Sequence, residues 1–355
     1  MDLRELLELM MKAKASDLHL KEDGPPIARM DGELMVLDSA PLSPKSIELI
    51  CTTLMKQKHQ SMFDQKHECD LAYTLPSIGR FRVNIFHQRG LTNLVFRAIP
   101  EHIPKFEDMH LPQSIKKLAD NERGLVLVTG TTGCGKSTTL ATMIDYINET
   151  RSCHIVTIED PIEFIHKDKK SIISQREIGL DTLSYLEALK HVVRQDPDVI
   201  LIGEMRDLET MAAALTAAQT GHLVLATIHT IDAIQTVTRI VDLFPPHQQT
   251  QIRYQLADTL KGVVSQRLLL HSSGKGRVPA VEVLVASPLV RKLIEENSLT
   301  EISNVIKQGS YYGMQNFNQA LLKLTNQNLV TLEEALSAAS NPEELMLAIR
   351  GIESN

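Results

Sequence analysis

Eight consecutive residues near the middle of the chain have the types and spacing of a phosphate-binding loop. They match the pattern G-x-x-x-x-G-K-[ST] and are Gly130, Thr131, Thr132, Gly133, Cys134, Gly135, Lys136 and Ser137. Glycines allow backbone N–H groups to turn inward around phosphate oxygens, and the start of a following helix adds its positive dipole end. The lysine would reach the β- and γ-phosphates, and the serine hydroxyl would be a ligand of Mg²⁺. The loop, with Thr138 behind it, therefore predicts binding of ATP and Mg²⁺.

The residues on either side fit this interpretation. Residues 125–129 form a short apolar run typical of a strand, and residues 137–148 are compatible with a helix. A strand, a glycine-rich loop and a helix in this order are the context that the motif requires. The alternative is a glycine-rich turn that binds no ligand, and this context disfavours it.

Titratable side chains follow three further apolar runs, each of which is typical of a strand. Ligands of an open parallel sheet bind beyond the carboxyl ends of its strands. Residues 155–158 are followed by Glu159, Asp160 and Glu163, residues 199–203 by Glu204, and residues 223–228 by His229. Acidic residues that lay merely on the surface would be scattered over helices, so this placement predicts a functional site.

The acids divide into a candidate base and candidate metal ligands. The aspartate that usually precedes the base in such sites is missing, because Gly203 stands before Glu204. Glu204 is therefore the predicted base that orients and deprotonates the attacking water, and Glu163 is its rival. Glu159 and Asp160 are predicted to share the Mg²⁺ or water-positioning work with Glu163.

Two histidines flank the last of these strands. His229 follows residues 223–228, where it could contact the γ-phosphate and report whether that phosphate is present. His222 precedes the same strand, and for it the sequence leaves a structural role and a site role open.

Three arginines lie on a predicted hairpin in the first part of the chain. Side chains alternate along a strand, so Arg80 and Arg82 face away from the apolar residues between and beside them, and Arg97 lies on the neighbouring strand. They could form an ordinary solvated face. They could also supply positive charge to a γ-phosphate held by another subunit, as an arginine finger in trans.

Composition excludes several classes of protein. The chain has 355 residues, a formal net charge of −7, no Trp and 4% aromatic residues, which argues against a nucleic-acid-coating or base-stacking protein. The first ten residues mix acids with leucines, so we expect no secretory signal. The four cysteines form no C-x-x-C pair, and free thiols in a reducing cytoplasm are expected.

The pattern of apolar residues changes once along the chain. Residues 1–99 show an amphipathic helix, hairpin-forming runs with an Asp31-Gly32 turn and a further helix over 44–63, which indicates an α+β domain. Prolines in residues 100–113 predict a linker. Residues 114–355 alternate apolar strands with helices and end in a mostly helical part, which predicts a parallel sheet.

These motifs together resemble the secretion-type ATPases, which power type IV pili and type II secretion. The resemblance rests on residues 15–20 (ASDLHL), the phosphate loop, residues 157–163 (TIEDPIE), residues 220–222 (TGH) and residues 228–230 (IHT). It extends through nearly the whole chain in the family's order. The family's atypical Walker B motif has Gly and Glu at the positions of Gly203 and Glu204, so the missing aspartate follows the family pattern.

Within the family the chain resembles the pilus-retraction branch. It is too short for the extra N-terminal domain of the assembly motors and lacks their four-cysteine zinc motif. Residues 314–322 and 348–350 also resemble the retraction branch, although Gly351 stands where the family often has Asn.

The resemblance implies a PAS-like N-terminal domain, a RecA-like ATPase domain and a homo-hexameric ring. It implies that ATP binds between the domains and that Arg97, Arg80 and Arg82 reach its phosphates. The implied partners are the inner-membrane pilus platform protein and a retraction paralogue, at the cytoplasmic face of the inner membrane below the pilus. No nucleic acid is expected.

Three alternatives stay open. The chain could be the accessory retraction paralogue or an assembly ATPase. It could be a RecA-like ring that translocates nucleic acid, which the net charge of −7 disfavours. It could also be a nucleotide-dependent switch without sustained turnover, which the acids at the strand ends disfavour.

Overall fold

The computed structural model describes residues 2–30, 32–100 and 102–352. These residues form two compact units. The first contains the described residues up to His102 together with Glu163–Ile165, and the second contains the rest, from Ile103 onward. The division between them falls inside the segment 100–113.

The first unit carries one antiparallel sheet with the strand order β3-β2-β1-β6-β5-β4. Its helices are α1 (Leu3–Lys12), α2 (Pro44–Leu54) and α3 (Gln57–Lys66), and its strands are β1 (Asp17–Lys21), β2 (Ile27–Met30), β3 (Glu33–Val36), β4 (Glu68–Leu75), β5 (Gly79–Gln88) and β6 (Leu91–Ile99). The predicted hairpin of β2 and β3 is present, with Gly32 at a φ of +92°. Asp31, the other residue of the predicted turn, lies outside the described residues.

The single helix predicted over 44–63 is wrong, because the chain forms α2 and α3 there. Met55 and Lys56 between them have extended backbone dihedrals. Leu54 and Phe63 are both buried in the core of the first unit. On one straight helix these two residues would lie about 180° apart, so only the break allows both to face the core.

The second unit carries a seven-stranded sheet with the order β13-β12-β7-β11-β10-β8-β9. Its strands are β7 (Gly124–Thr129), β8 (His154–Glu159), β9 (Ile172–Glu177), β10 (Val199–Ile202), β11 (Leu223–Ile228), β12 (Leu260–Leu270) and β13 (Arg277–Val285). Its helices are α4 (Gln113–Ala119), α5 (Lys136–Thr150), α6 (Tyr185–Val192), α7 (Leu208–Gln219), α8 (Ala233–Asp242), α9 (Pro246–Thr259), α10 (Pro288–Glu295), α11 (Ile302–Gln308), α12 (Phe317–Asn326), α13 (Leu332–Ala338) and α14 (Pro342–Ile349).

All neighbouring strands of this sheet are parallel except β12 and β13, which are antiparallel. Every residue of β7, β10 and β11 is buried. Helices cover both faces of a parallel sheet, which is why these strands are apolar throughout rather than alternating. The predicted fold class, an α/β domain with a parallel-rich sheet behind a smaller α+β domain, is confirmed.

The register of the parallel strands aligns their carboxyl ends. Ile158 pairs with Ile202, Ile202 with Ala226, and Ile228 with Thr129. The phosphate loop, Glu159, Glu204 and His229 therefore leave the sheet at one edge. No helix in the described part of the chain has the length and apolar character needed to cross a membrane.

Candidate active site

The phosphate loop connects the end of β7 to the start of α5. Gly130, Gly133 and Gly135 have positive φ angles of 143°, 79° and 91°. A Cβ atom on Gly130 would lie 2.5 Å from Cys134 Sγ and 2.5 Å from the Gln266 carbonyl oxygen. A Cβ atom on Gly133 or Gly135 would meet no atom within 4 Å, so those two glycines are required for the turn of the backbone and for the space in front of it.

The Lys136 side chain is held within this loop. Its ammonium group donates hydrogen bonds to the carbonyl oxygens of Gly130, at 2.9 Å, and Thr131, at 3.0 Å. Lys136 is buried, whereas Thr131, Thr132 and Gly133 are exposed at the mouth of the loop. A buried ammonium group at a helix start, beside glycines with open space in front, fits a polyphosphate. Ser137 and Thr138 follow on the first turn of α5, half-buried.

Glu204 and His229 lie together beyond the ends of β10 and β11. His229 Nε2 is 3.3 Å from Glu204 Oε1, and Arg206 Nη2 donates to Glu204 Oε2 at 2.6 Å. Partial burial raises the pKa of the Glu204 carboxyl, but the hydrogen bonds from Arg206 and His229 and the positive charge of Arg206 outweigh burial. The pKa of Glu204 is therefore below its ordinary value, and the side chain is an ionised acceptor at neutral pH. Arg206 lies outside all the motifs described in the sequence.

Gly203 lies in a crowded position, which explains why no aspartate precedes Glu204. A Cβ atom on Gly203 would lie 2.9 Å from the Tyr185 hydroxyl oxygen and 3.3 Å from the Glu159 Cα atom. Thr227 also donates a hydrogen bond to the Gly203 carbonyl oxygen. Any side chain at position 203 would push against the ends of β8 and α6.

We expect Gly203→Ala to lower the free energy of unfolding by about 1–3 kcal/mol, the usual cost of overpacking. ATP turnover should fall as well, because the strain falls on the backbone that precedes Glu204. Gly203→Asp, which installs the aspartate found in other nucleotide hydrolases, should lower both the free energy of unfolding and ATP turnover further than Gly203→Ala does. Urea denaturation and steady-state turnover measure the effects. The double variant Gly203→Ala with Tyr185→Phe should recover part of the stability, and a Gly203→Ala protein as stable as the wild type would contradict this account.

Glu159 ends β8 within a polar cluster. Thr157 Oγ1 donates to Glu159 Oε1 at 2.6 Å, and Gln175 Nε2 donates to the same oxygen at 3.2 Å. Asp160 is exposed beside it. Burial, followed by the negative charges of Asp160 and Glu204, raises the pKa of the nearby Tyr185 hydroxyl, so carboxylates converge around this phenol.

The metal-binding prediction concerns the same edge of the sheet. Among the described residues no group of three or more His, Cys, Asp and Glu side chains is arranged to hold a metal ion. Mg²⁺ in nucleotide enzymes usually takes only one or two protein carboxylates or hydroxyls and completes its shell with phosphate oxygens and water. The atoms available as metal ligands at the loop and at the end of β8 are all oxygens, and these fit such an ion.

A cavity of about 230 Å³ adjoins the phosphate loop. Its lining residues are Pro104, Asp108, Met109, His110, Cys134, Gly135, Thr138, Gln266, Leu268, Arg277 and Pro279. Thr142 on α5 donates to the Pro104 carbonyl oxygen at 2.9 Å and so holds the segment before α4 against the helix that carries the loop. The cavity is continuous with the loop and mostly apolar, as sites for small organic ligands usually are.

The remaining predicted site residues belong to the first unit. Arg82 and Arg97 are directly opposite each other on β5 and β6. Arg97 Nε donates to Asp17 Oδ1 at 2.8 Å, and Arg82 Nε lies 3.8 Å from Asp70 Oδ1. Asp17 is buried although Arg97 is exposed. Like charges directly opposite each other destabilise a sheet, and an ordinary solvated surface would avoid such a pair. The carboxylates of Asp17 and Asp70 offset the repulsion between the two arginines.

Arg80 is half-buried on β5, and Glu163 is exposed and clusters with the first unit. The structure therefore groups Glu204 and His229 in one unit and their candidate partners Glu163, Arg80, Arg82 and Arg97 in the other.

His222 precedes β11, at the opposite end of the strand from His229, and its Nδ1 atom is 2.9 Å from the Ala217 carbonyl oxygen. This hydrogen bond at the end of α7 supports a structural role for His222.

A comparison with known protein families identifies the class. The family model described as "Type II/IV secretion system protein" matches residues 2–337, and this chain belongs to that family. It is 44% identical to the type IV pilus retraction ATPase PilT of Pseudomonas aeruginosa, across 97% of this chain and 99% of that protein. It is 43% identical to the type IV pilus ATPase PilU of the same organism, across 100% of this chain and 93% of PilU. A crystal structure of the pilus retraction motor PilT with bound ADP matches with a TM-score of 0.92 and 45% identity, over 98% of this chain and 99% of that one.

Proposed function

We propose that this protein is an ATP-hydrolysing motor that drives type IV pilus retraction and twitching motility. The observation that carries the proposal is the likeness, over nearly the full length of both chains, to a solved pilus retraction motor that holds ADP. The site supports the same conclusion, because the phosphate loop and an ionised glutamate lie at one edge of one sheet.

In this mechanism the loop binds the phosphates of ATP, and Lys136 exchanges its hydrogen bonds with the two loop carbonyls for bonds to the β- and γ-phosphates. Glu204 accepts a proton from the water that attacks the γ-phosphorus, and the bond from that phosphorus to the β,γ-bridging oxygen breaks to give ADP. His229, beside Glu204, contacts the γ-phosphate. Ser137, Glu159 and Asp160, partly through water, would hold Mg²⁺, which neutralises charge on the phosphates.

The first unit supplies positive charge in this proposal. Arg97 and Arg80, with Arg82, reach the phosphates of ATP held by a neighbouring subunit of a homo-hexamer. We assign the PAS-like domain to residues 1–99, the linker to 100–113 and the RecA-like domain to 114–355. Closure of the domains on ATP and their opening after hydrolysis would couple turnover to movement.

The proposed partner is the platform protein of the inner membrane, reached from the cytoplasmic side at the base of the pilus. A second candidate function is that of an accessory retraction ATPase, which the 43% identity to PilU over the whole of this chain favours. In that case the protein would act together with a retraction motor instead of alone. An assembly ATPase is a weaker candidate.

Steady-state hydrolysis by the purified protein tests the enzymatic part of the proposal. We expect many turnovers per subunit and no response to added DNA. A burst of one ATP per subunit followed by no further release of phosphate would support a nucleotide-dependent switch instead. Stimulation by DNA with a steep dependence on salt would support a nucleic-acid translocase.

A further inference from the structure

Asp17 is a buried carboxylate in a motif to which the proposed mechanism gives no role. It belongs to residues 15–20 (ASDLHL), which form most of β1. Side chains alternate along a strand, so Leu18 and Leu20 enter the core of the first unit and Asp17 lies on the other face of the sheet. The Asp17 side chain is nevertheless only 7% exposed. Burying a carboxylate costs free energy unless it is paired and hydrogen-bonded, so the partners of Asp17 are informative.

Both oxygens of this carboxylate are engaged, and one of them holds Arg97. Arg97 Nε donates to Asp17 Oδ1 at 2.8 Å, and the Ser16 hydroxyl donates to Asp17 Oδ2 at 2.8 Å. Arg29 lies directly opposite Asp17 on β2, but its Nη1 atom donates to the Gly32 carbonyl oxygen. The buried carboxylate is therefore paired with the arginine on β6.

The Arg97 guanidinium is held at one end and open at the other. The hydrogen bond to Asp17 uses Nε, the nitrogen next to the aliphatic stem, whereas the Arg97 side chain as a whole is 67% exposed. Four of the five N–H donors of a guanidinium belong to its two terminal nitrogens, and these suit the oxygens of a phosphate. Arg82 is held less firmly, because its Nε atom lies 3.8 Å from Asp70 Oδ1, beyond hydrogen-bonding distance.

Fixing an arginine in advance strengthens its contact with a phosphate. A free arginine at a surface samples many rotamers and loses that freedom when it binds an anion. A guanidinium that is already oriented loses less, so more of its interaction energy remains to stabilise the transition state.

We propose that Asp17 is the positioning residue that orients the Arg97 guanidinium toward the phosphoryl group transferred from ATP in a neighbouring subunit. This proposal rests on the proposed function, in which Arg97 acts on that phosphate. It adds a role for the motif at residues 15–20, and it makes Arg97, rather than Arg82, the arginine that the fold fixes in advance.

The test compares the wild type with Asp17→Leu, which has nearly the same shape and no hydrogen-bond acceptor. We expect kcat for ATP hydrolysis to fall about 10–100-fold, while affinity for ADP, which lacks the γ-phosphate, stays unchanged. The melting temperature should stay close to that of the wild type, because the charge left behind on Arg97 is exposed to water. Asp17→Asn keeps an acceptor for the Nε–H group and should retain more turnover. Asp64→Asn, at an exposed aspartate on α3, is the matched control and should equal the wild type.

A double variant separates positioning from stability. Arg97→Ala leaves the buried Asp17 carboxylate unpaired, so adding Asp17→Leu should raise the melting temperature of Arg97→Ala. It should not lower kcat further, because Asp17 acts only through Arg97. In mixed rings, Lys136→Ala protein should restore activity to Asp17→Leu protein, whereas Arg97→Ala protein should not, since both of the latter changes disable the same arginine.

Three results would overturn the proposal: wild-type turnover by Asp17→Leu, a further loss of kcat on combining it with Arg97→Ala, or a loss of turnover accompanied by losses of ADP affinity and melting temperature. Restored activity in a mixture of Asp17→Leu and Arg97→Ala proteins would also contradict it. If the wild type did not hydrolyse ATP, or if Arg97→Ala hydrolysed it at the wild-type rate, the proposed function itself would fail. Wild-type turnover by Asp17→Leu beside an inactive Arg97→Ala overturns the positioning role alone.

Discussion

Glu204→Gln is expected to lower kcat for ATP hydrolysis by about 10²–10⁴-fold while ATP still binds. The substitution keeps the shape of the side chain and removes the only group in it that can accept a proton. Binding should persist because the loop and Lys136 are untouched. Phosphate release under saturating ATP measures kcat, and titration with ADP measures affinity.

Glu209→Gln is the matched control, because Glu209 is an exposed glutamate on the helix that follows. Its turnover should equal that of the wild type. The rival base is tested in the same assay by Glu163→Gln. If Glu163→Gln abolished turnover and Glu204→Gln retained most of it, the assignment of the base to Glu204 would be wrong.

Arg97→Ala is expected to lower kcat by about 10³-fold or more, the usual effect of removing an arginine finger. If the charge is supplied to a neighbouring subunit, as we propose, a mixture of Arg97→Ala and Lys136→Ala proteins should regain activity that neither has alone. In the mixed ring some sites combine an intact loop from one subunit with an intact arginine from the next. If the mixture stayed inactive although the proteins assembled together, the arginine would not act in trans.

The fold of the first unit must be controlled in that experiment. Arg97→Ala leaves the buried Asp17 carboxylate without its arginine, so the loss of activity could follow from lost stability. Arg97→Lys keeps a positive charge near Asp17 but lacks the planar fork that binds phosphate oxygens with two hydrogen bonds. We expect Arg97→Lys to unfold close to the wild-type temperature and still to lose most of its turnover.

Local patterns were sufficient to predict the loop and its surroundings. The strand before the loop, the helix after it and the acids at the strand ends depend on residues close together in the chain, and the structure has these elements. The hairpin of β2 and β3 and the amphipathic α1 were predicted for the same reason. The break between α2 and α3 was not, because it depends on burying Leu54 and Phe63 on one side, which no short window of sequence reveals.

Contacts between distant residues account for what the sequence did not show. Gly203 was identified as a departure from other hydrolases, but the reason is the Tyr185 hydroxyl, which approaches from another element. Arg206, although only two residues from Glu204, carries no motif that would mark it as the partner of the carboxylate. Gln266 lies more than a hundred residues beyond the loop in the chain and reaches it only through the pairing of β12 with β7.

The most direct test of the central claim is a count of surface pili on cells whose only copy of this gene carries Glu204→Gln, together with an assay of surface motility. A retraction motor without its base leaves pili that assemble and cannot be withdrawn, so we predict excess pili and lost twitching. Cells without pili would contradict the account, because they would show that hydrolysis by this protein builds the pilus instead of withdrawing it.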